Sequence, residues 1–182
     1  MTALKTILLT ILVLLVIGAG LVFSGSIDVG ADTPHSRLAQ WLLSTARARS
    51  VASAARGIES VDLEDPALIA MGAAHYVEMC TQCHLAPGMK DSETRTGLNP
   101  QPPDLTQGTG RMKDAELFWI VKHGIRMTGM PAWGLTHSDR MIWAMVAFVK
   151  KLPTMTPEQY EALIPAEARG MHHDEDGPPA LQ

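Results

Sequence analysis

The stretch Cys80-Thr81-Gln82-Cys83-His84 constrains this chain more than any other. Two cysteines at i and i+3 share one face of a helical turn, and a histidine directly after the second completes the pattern of c-type haem attachment. The thiols can add to the two vinyl groups along one haem edge, with His84 beneath the ring to ligate the iron. A Cys-x-x-Cys pair alone also suits a thioredoxin-like dithiol or half of a zinc site. Cys80 and Cys83 are the only cysteines, so no second pair completes a four-ligand zinc cluster. The neighbourhood also lacks the βαβ pattern that a redox dithiol prefers. One covalent haem c is the reading that uses all three residues.

At these residues the chain resembles the small monohaem class I c-type cytochromes, over roughly residues 67–152. A second match is Thr128-Gly129-Met130-Pro131. The resemblance implies an all-α class I cytochrome c fold whose first and last helices cross through a small residue and an aromatic ring. Gly72 and Tyr76 fit that pattern on the first helix, with Met145 and Phe148 as candidates on the last. It also implies a proline segment passing the proximal histidine. Pro102-Pro103-Asp104-Leu105 resembles it, a backbone carbonyl there accepting the Nδ1 proton of His84. Haem is attached to such cytochromes outside the cytoplasmic membrane, so the resemblance places the haem domain on the periplasmic side of an inner membrane.

Upstream of the resemblance, Leu4 to Phe23 is interrupted only by Lys5 and two threonines. These residues number about 20, enough at about 1.5 Å each to span a bilayer. A cleaved signal peptide is the rival, with Gly18-Ala19-Gly20 as its cleavage site. The apolar run continues through Leu21, Val22 and Phe23, which favours an uncleaved single-pass anchor at residues 1–23. Asp32 or Thr33 is expected to cap a helix with Pro34 in its first turn, running to Gly57. Leu38, Trp41, Leu42 and Thr45 are read as one face of it, Arg49 and Arg56 as another. Such a basic amphipathic helix suits membrane headgroups or a partner subunit, or simply packs on the haem domain. Residues 24–61 thus comprise an exit segment, this helix and an acidic linker.

Residues 62–168 form the expected haem domain. Asp65-Pro66 starts the helix that delivers Cys80. Leu85 to Gly110 is rich in Gly and Pro, a long irregular stretch that a haem would order. Asp114 to His123 is a short helix closed by Gly124, and Met141 to Leu152 is the last helix of the resemblance, capped near Ser138 or Asp139. Thr156-Pro157 begins another short helix, and residues 169–182 read as a disordered tail. Aromatics make up 5% of the 182 residues while methionines number 11, so a haem would supply flat apolar surface that the core otherwise lacks.

The second iron ligand separates electron transfer from ligand chemistry, because a methionine thioether raises the potential and blocks small molecules. Met130 precedes a proline, which favours an extended backbone, and the resemblance places the axial methionine in this setting. Met127 is the nearest competitor, and His123 would give bis-histidine ligation. Trp119 and Trp133 flank the loop and are expected, with Pro103, to wall the haem.

Net charge is only −4, which indicates neither nucleic acid nor a strongly charged substrate. Lys90, Arg95, Arg111, Lys113, Lys122 and Arg126 read as a docking patch for a redox partner or as ordinary solubilising charge. Together these readings describe a membrane-anchored electron carrier, not an enzyme and without a small-molecule substrate. Its partners would be an oxidase, a bc-type complex or a dehydrogenase, met as a free carrier or as a subunit of such a complex. The alternatives are a haem-based sensor or peroxidase with a labile sixth ligand, and a thiol-disulfide redox protein.

Overall fold

The computed structural model describes residues 2–166, and the tail expected at 169–182 lies outside them. All regular structure among the described residues is helical, with no strand. Two compact units divide between Thr33 and Pro34.

The first unit holds α1, Thr2–Phe23, a helix of 22 residues whose only charge is Lys5. At ~1.5 Å per residue it is about 33 Å long, the thickness of a bilayer core. Thr6 and Thr10 donate their hydroxyls to the carbonyls of Thr2 and Thr6, at 3.1 and 2.9 Å, so each hydroxyl donor is satisfied within the helix. Beyond Ser24 the chain folds on itself. Asp28 accepts from the Gly30 N–H and the Thr33 hydroxyl, each at 2.8 Å.

The second unit begins with α2, Arg37–Ala54, which starts later than the expected cap at Asp32 or Thr33. Ser36 is the cap instead, its hydroxyl accepting from the Ala39 N–H at 3.3 Å; the Thr33 hydroxyl is already engaged by Asp28. The helix also stops short of Gly57. One further correction concerns its faces. Arg49 follows Leu38 by three helical turns and therefore stands on the same side as the apolar residues, not on another. Val51 and Ala55 are buried where α2 packs against α6, Asp114–His123.

The helix α3, Pro66–Met79, begins as the sequence indicates, with Asp65 accepting from the Ala67 N–H at 2.9 Å and Pro66 in the first turn. It crosses α7, Asp139–Lys151, whose cap is Ser138. The crossing runs through Gly72, where a Cβ would stand 2.0 Å from the Ala144 carbonyl oxygen and 2.8 Å from the Phe148 Cβ. Phe148 is thus a crossing residue as expected. Ala144 also meets Gly72 through its backbone, and Met145 next to it is buried in the same cluster as Leu68 of α3.

Tyr76, Phe148 and Tyr160 form a chain of rings with centroids 5.2 and 6.1 Å apart, closing one half of the core with Leu152 and Ile164. Burying such side chains contributes about 1.5–3 kcal/mol each. Phe118 of α6 stacks on Trp143 of α7 at 4.3 Å in the other half. Lys122–Asp139 (2.6 Å) and Lys150–Asp114 (3.0 Å) rim that packing. Exposed pairs of this kind contribute at most about 1 kcal/mol. A last helix, Pro157–Leu163, carries the capping box of Thr156 and Gln159 and brings Tyr160 into the core.

Candidate functional site

Cys80 ends α3, and Thr81–His84 forms a single helical turn, α4. The Cys83 and His84 N–H groups both donate to the Cys80 carbonyl, at 3.0 and 2.8 Å, which sets the two thiols and the imidazole one turn apart. Thr81 is buried and ties the turn to the core. Its hydroxyl lies 3.1 Å from the Tyr76 carbonyl and 3.2 Å from the Tyr160 hydroxyl. After His84 the chain breaks at Leu85, with φ +65°, and its carbonyl accepts the buried Tyr76 hydroxyl at 2.7 Å.

Both cysteines are free and partly buried. Desolvation pushes the Cys80 thiol up to about 12 and raises that of Cys83 as well. A thiol so disfavoured as thiolate is a poor redox nucleophile. A neutral thioether, by contrast, loses nothing in an apolar setting, so this donor set fits a covalently attached haem.

The His84 Nδ1 lies 2.9 Å from the Pro103 carbonyl oxygen. This contact fixes the tautomer with the proton on Nδ1 and leaves the Nε2 lone pair for a metal. Burial holds the imidazole below the ordinary histidine range; the Pro103 hydrogen bond opposes that, and the Arg95 charge adds to it. A neutral ring is the form that ligates.

The stretch from Leu85 to Gly110 contains regular turns that its composition concealed: α5, Glu93–Thr96, and a 3-10 turn at Leu105–Gln107. Ser92 organises it, accepting from the Arg95 N–H and donating to the Gln82 carbonyl inside the Cys-x-x-Cys turn. Arg95 differs from its expected role in a solvent patch. Its side chain is only 16% exposed, with Nε donating to the Pro102 carbonyl at 3.1 Å and one terminal nitrogen to Asp91 at 3.0 Å. It holds the proline segment that in turn holds His84. Sequence reasoning missed this, although an arginine four residues after an aspartate was a visible signal.

Met130 sits on a loop braced by Gly124, where φ is +64° and a Cβ would meet the Met130 and Pro131 backbone at 2.7 Å. The Ile125 N–H donates to the Met130 carbonyl at 3.1 Å, and the Met130 N–H donates to the Thr128 hydroxyl at 3.1 Å. Met130 is half-buried, whereas Met127 is 93% exposed at φ +60°. Trp119 and Trp133 are half-buried. The first lies 5.0 Å from the His123 ring, the second 5.6 Å from His137 and against the Phe118–Trp143 cluster. Among the described residues no hydrogen bond or ring contact joins Met130 or these tryptophans to the Cys80–His84 turn.

A helical crossing that ends in a Cys-x-x-Cys-His turn with its histidine held by a proline carbonyl defines a c-type cytochrome domain. Residues 67–149 match the model of the family described as cytochrome C oxidase, cbb3-type, subunit III, a likeness consistent with a c-type cytochrome domain. Its cofactor is covalent haem c, and its chemistry is haem-based electron transfer. No curated protein matches the chain.

Proposed function

We propose that the chain is a membrane-anchored electron carrier of the periplasmic face, with the helix ending at Phe23 retained as its anchor. Cys80 and Cys83 bind one haem through thioethers, and His84 and Met130 are its iron ligands. Trp119, Trp133 and Pro103 lie along its pocket. The bound haem supplies a one-electron Fe(III)/Fe(II) couple. The residues around it hold the ligands and keep water away: Pro103 and Arg95 steady His84, and the Gly124–Thr128 turn steadies Met130.

The observation that carries this reading is the His84–Pro103 contact, which leaves an oriented, neutral imidazole immediately beside two desolvated thiols. The description of the matched family supports an oxidase subunit as the partner, or work inside such a complex, ahead of a bc-type complex or a dehydrogenase. The test is a haem-stained denaturing gel with a reduced-minus-oxidised spectrum of detergent-purified protein. Haem that survives denaturation in the intact chain and is lost in the Cys80→Ala, Cys83→Ala double variant is the expected result. Titratable free thiols in the purified protein would point to a thiol-disulfide protein, and rapid carbon monoxide binding after reduction to a sensor or peroxidase.

A further inference from the structure

The helix α2 uses one side on the rest of its unit and leaves another bare. Val51 and Ala55 are buried, whereas Leu38, Trp41 and Leu42 are 66%, 61% and 51% exposed. Spaced three and four residues apart, these form one stripe, continued by Thr45 and Arg49. Contiguous apolar exposure of this kind marks an interaction surface. Its charge is as one-sided as its shape. Between Asp32 and Glu59 there is no acidic residue, but Arg37, Arg47, Arg49 and Arg56 are present in a chain whose net charge is −4.

We infer that α2 lies on the surface of an anionic phospholipid bilayer, with Leu38, Trp41 and Leu42 in the headgroup–acyl boundary and Arg49 on lipid phosphate. A tryptophan is the side chain best suited to that depth. Guanidinium groups pair with phosphate through two parallel hydrogen bonds. A helix with an apolar stripe, arginines and no acid is the form that rests in an interface. The inference builds on the reading of α1 as an anchor. Residues 24–36 join the two helices, and at ~3.4 Å per residue they reach at most about 45 Å. That reach allows the start of α2 to meet the surface of a bilayer that α1 spans. A protein partner would need acidic groups to meet these arginines, whereas an anionic lipid surface provides them at any approach.

The test uses the full-length haem-loaded chain in vesicles of phosphatidylglycerol and phosphatidylcholine, with a nitroxide label on Leu42→Cys or, on a different side of the helix, Ala54→Cys. At residue 42 the ratio of oxygen to nickel-chelate collisions should be several-fold higher than at residue 54. It should fall toward the residue 54 value in Arg49→Glu and in vesicles of phosphatidylcholine alone. Equal access of the nickel chelate to both positions in anionic vesicles overturns the inference. So does a label at residue 42 that is shielded in native membranes yet water-exposed in lipid vesicles, an outcome that assigns the stripe to a protein subunit. N-terminal sequencing of the same sample separates the two readings: a mature chain that begins beyond Phe23 sinks the anchor alone.

Discussion

Gly72 lies directly beneath the Ala144 carbonyl, so close that a methyl group on its Cα would stand 2.0 Å from that oxygen. Neither partner can give way cheaply, because the obstructing atom is backbone in the middle of α7. Gly72→Ala should therefore push α3 and α7 apart and cost about 3 kcal/mol, the upper end of overpacking penalties. Thermal unfolding of the haem-loaded protein should shift down by about 6–12 °C on the scaling of ~2–4 °C per kcal/mol for a unit of this size. A shift of a degree or two would mean that the crossing is looser than described.

Arg95 offers a test of how His84 is held. Arg95→Leu should keep the covalent haem but lower its reduction potential, since a cation near the iron favours the reduced state. Arg95→Lys keeps the charge and loses the fork that grips the Pro102 carbonyl and Asp91. It should restore the potential while leaving the protein less stable than wild type. Voltammetry and melting measured together distinguish these two contributions, and an unchanged potential in Arg95→Leu would reduce the residue to a structural role.

The two methionines of the loop should behave oppositely. Met130→Ala should abolish the near-infrared sulfur-to-iron band of the oxidised protein and lower the potential, because the thioether favours ferrous iron. Met127→Ala should change neither. Met127→Gly should raise stability by about 1 kcal/mol, since Met127 sits at φ +60°, a conformation costly to any side chain. Loss of the band in Met127→Ala instead would move the ligand by three residues.

Alkaline pH should unlock the core around the haem turn. Burial holds Tyr76 neutral well above the ordinary tyrosine range and pushes Tyr160 up to about 12. A folded value above the unfolded one means that the stabilisation is complete below about pH 10 and is lost as pH rises toward 12. Denaturant midpoints should be flat from pH 8 to about 10 and fall beyond, with a shallower fall in Tyr160→Phe.

How much of this was legible beforehand depended on the range of the interactions. Asp65-Pro66, Ser138, Thr156-Pro157 and Gly124 announce helix ends because capping is settled within about four residues, and all four stand where expected. The Cys80–His84 turn and the Pro103 contact were readable from the motif and its resemblance. The turns at Glu93–Thr96 and Leu105–Gln107 were not, because Ser92 finds the Gln82 carbonyl ten residues away and no local periodicity encodes that meeting. For the same reason the grip of Arg95 on the Pro102 carbonyl was hidden, although its pairing with Asp91 four residues earlier was a local, visible signal. The start of α2 was misplaced because Thr33 looked free to cap, whereas Asp28 holds it.

The histidine of the haem turn is gripped from three directions. Its ring nitrogen meets the Pro103 carbonyl, its N–H meets the Cys80 carbonyl, and its own carbonyl is 3.3 Å from the Tyr76 hydroxyl that also binds Leu85. Two of those grips use backbone atoms, which no side-chain substitution deletes, and the third comes from the ring at the centre of the helix crossing. With its ring held once and its backbone twice, this histidine would have little room to swing if the charge beside it changed by one electron, and its surroundings would need little rearrangement. The consequence is one of speed: low reorganisation lets an electron arrive and leave rapidly even when the driving force between donor and acceptor is small.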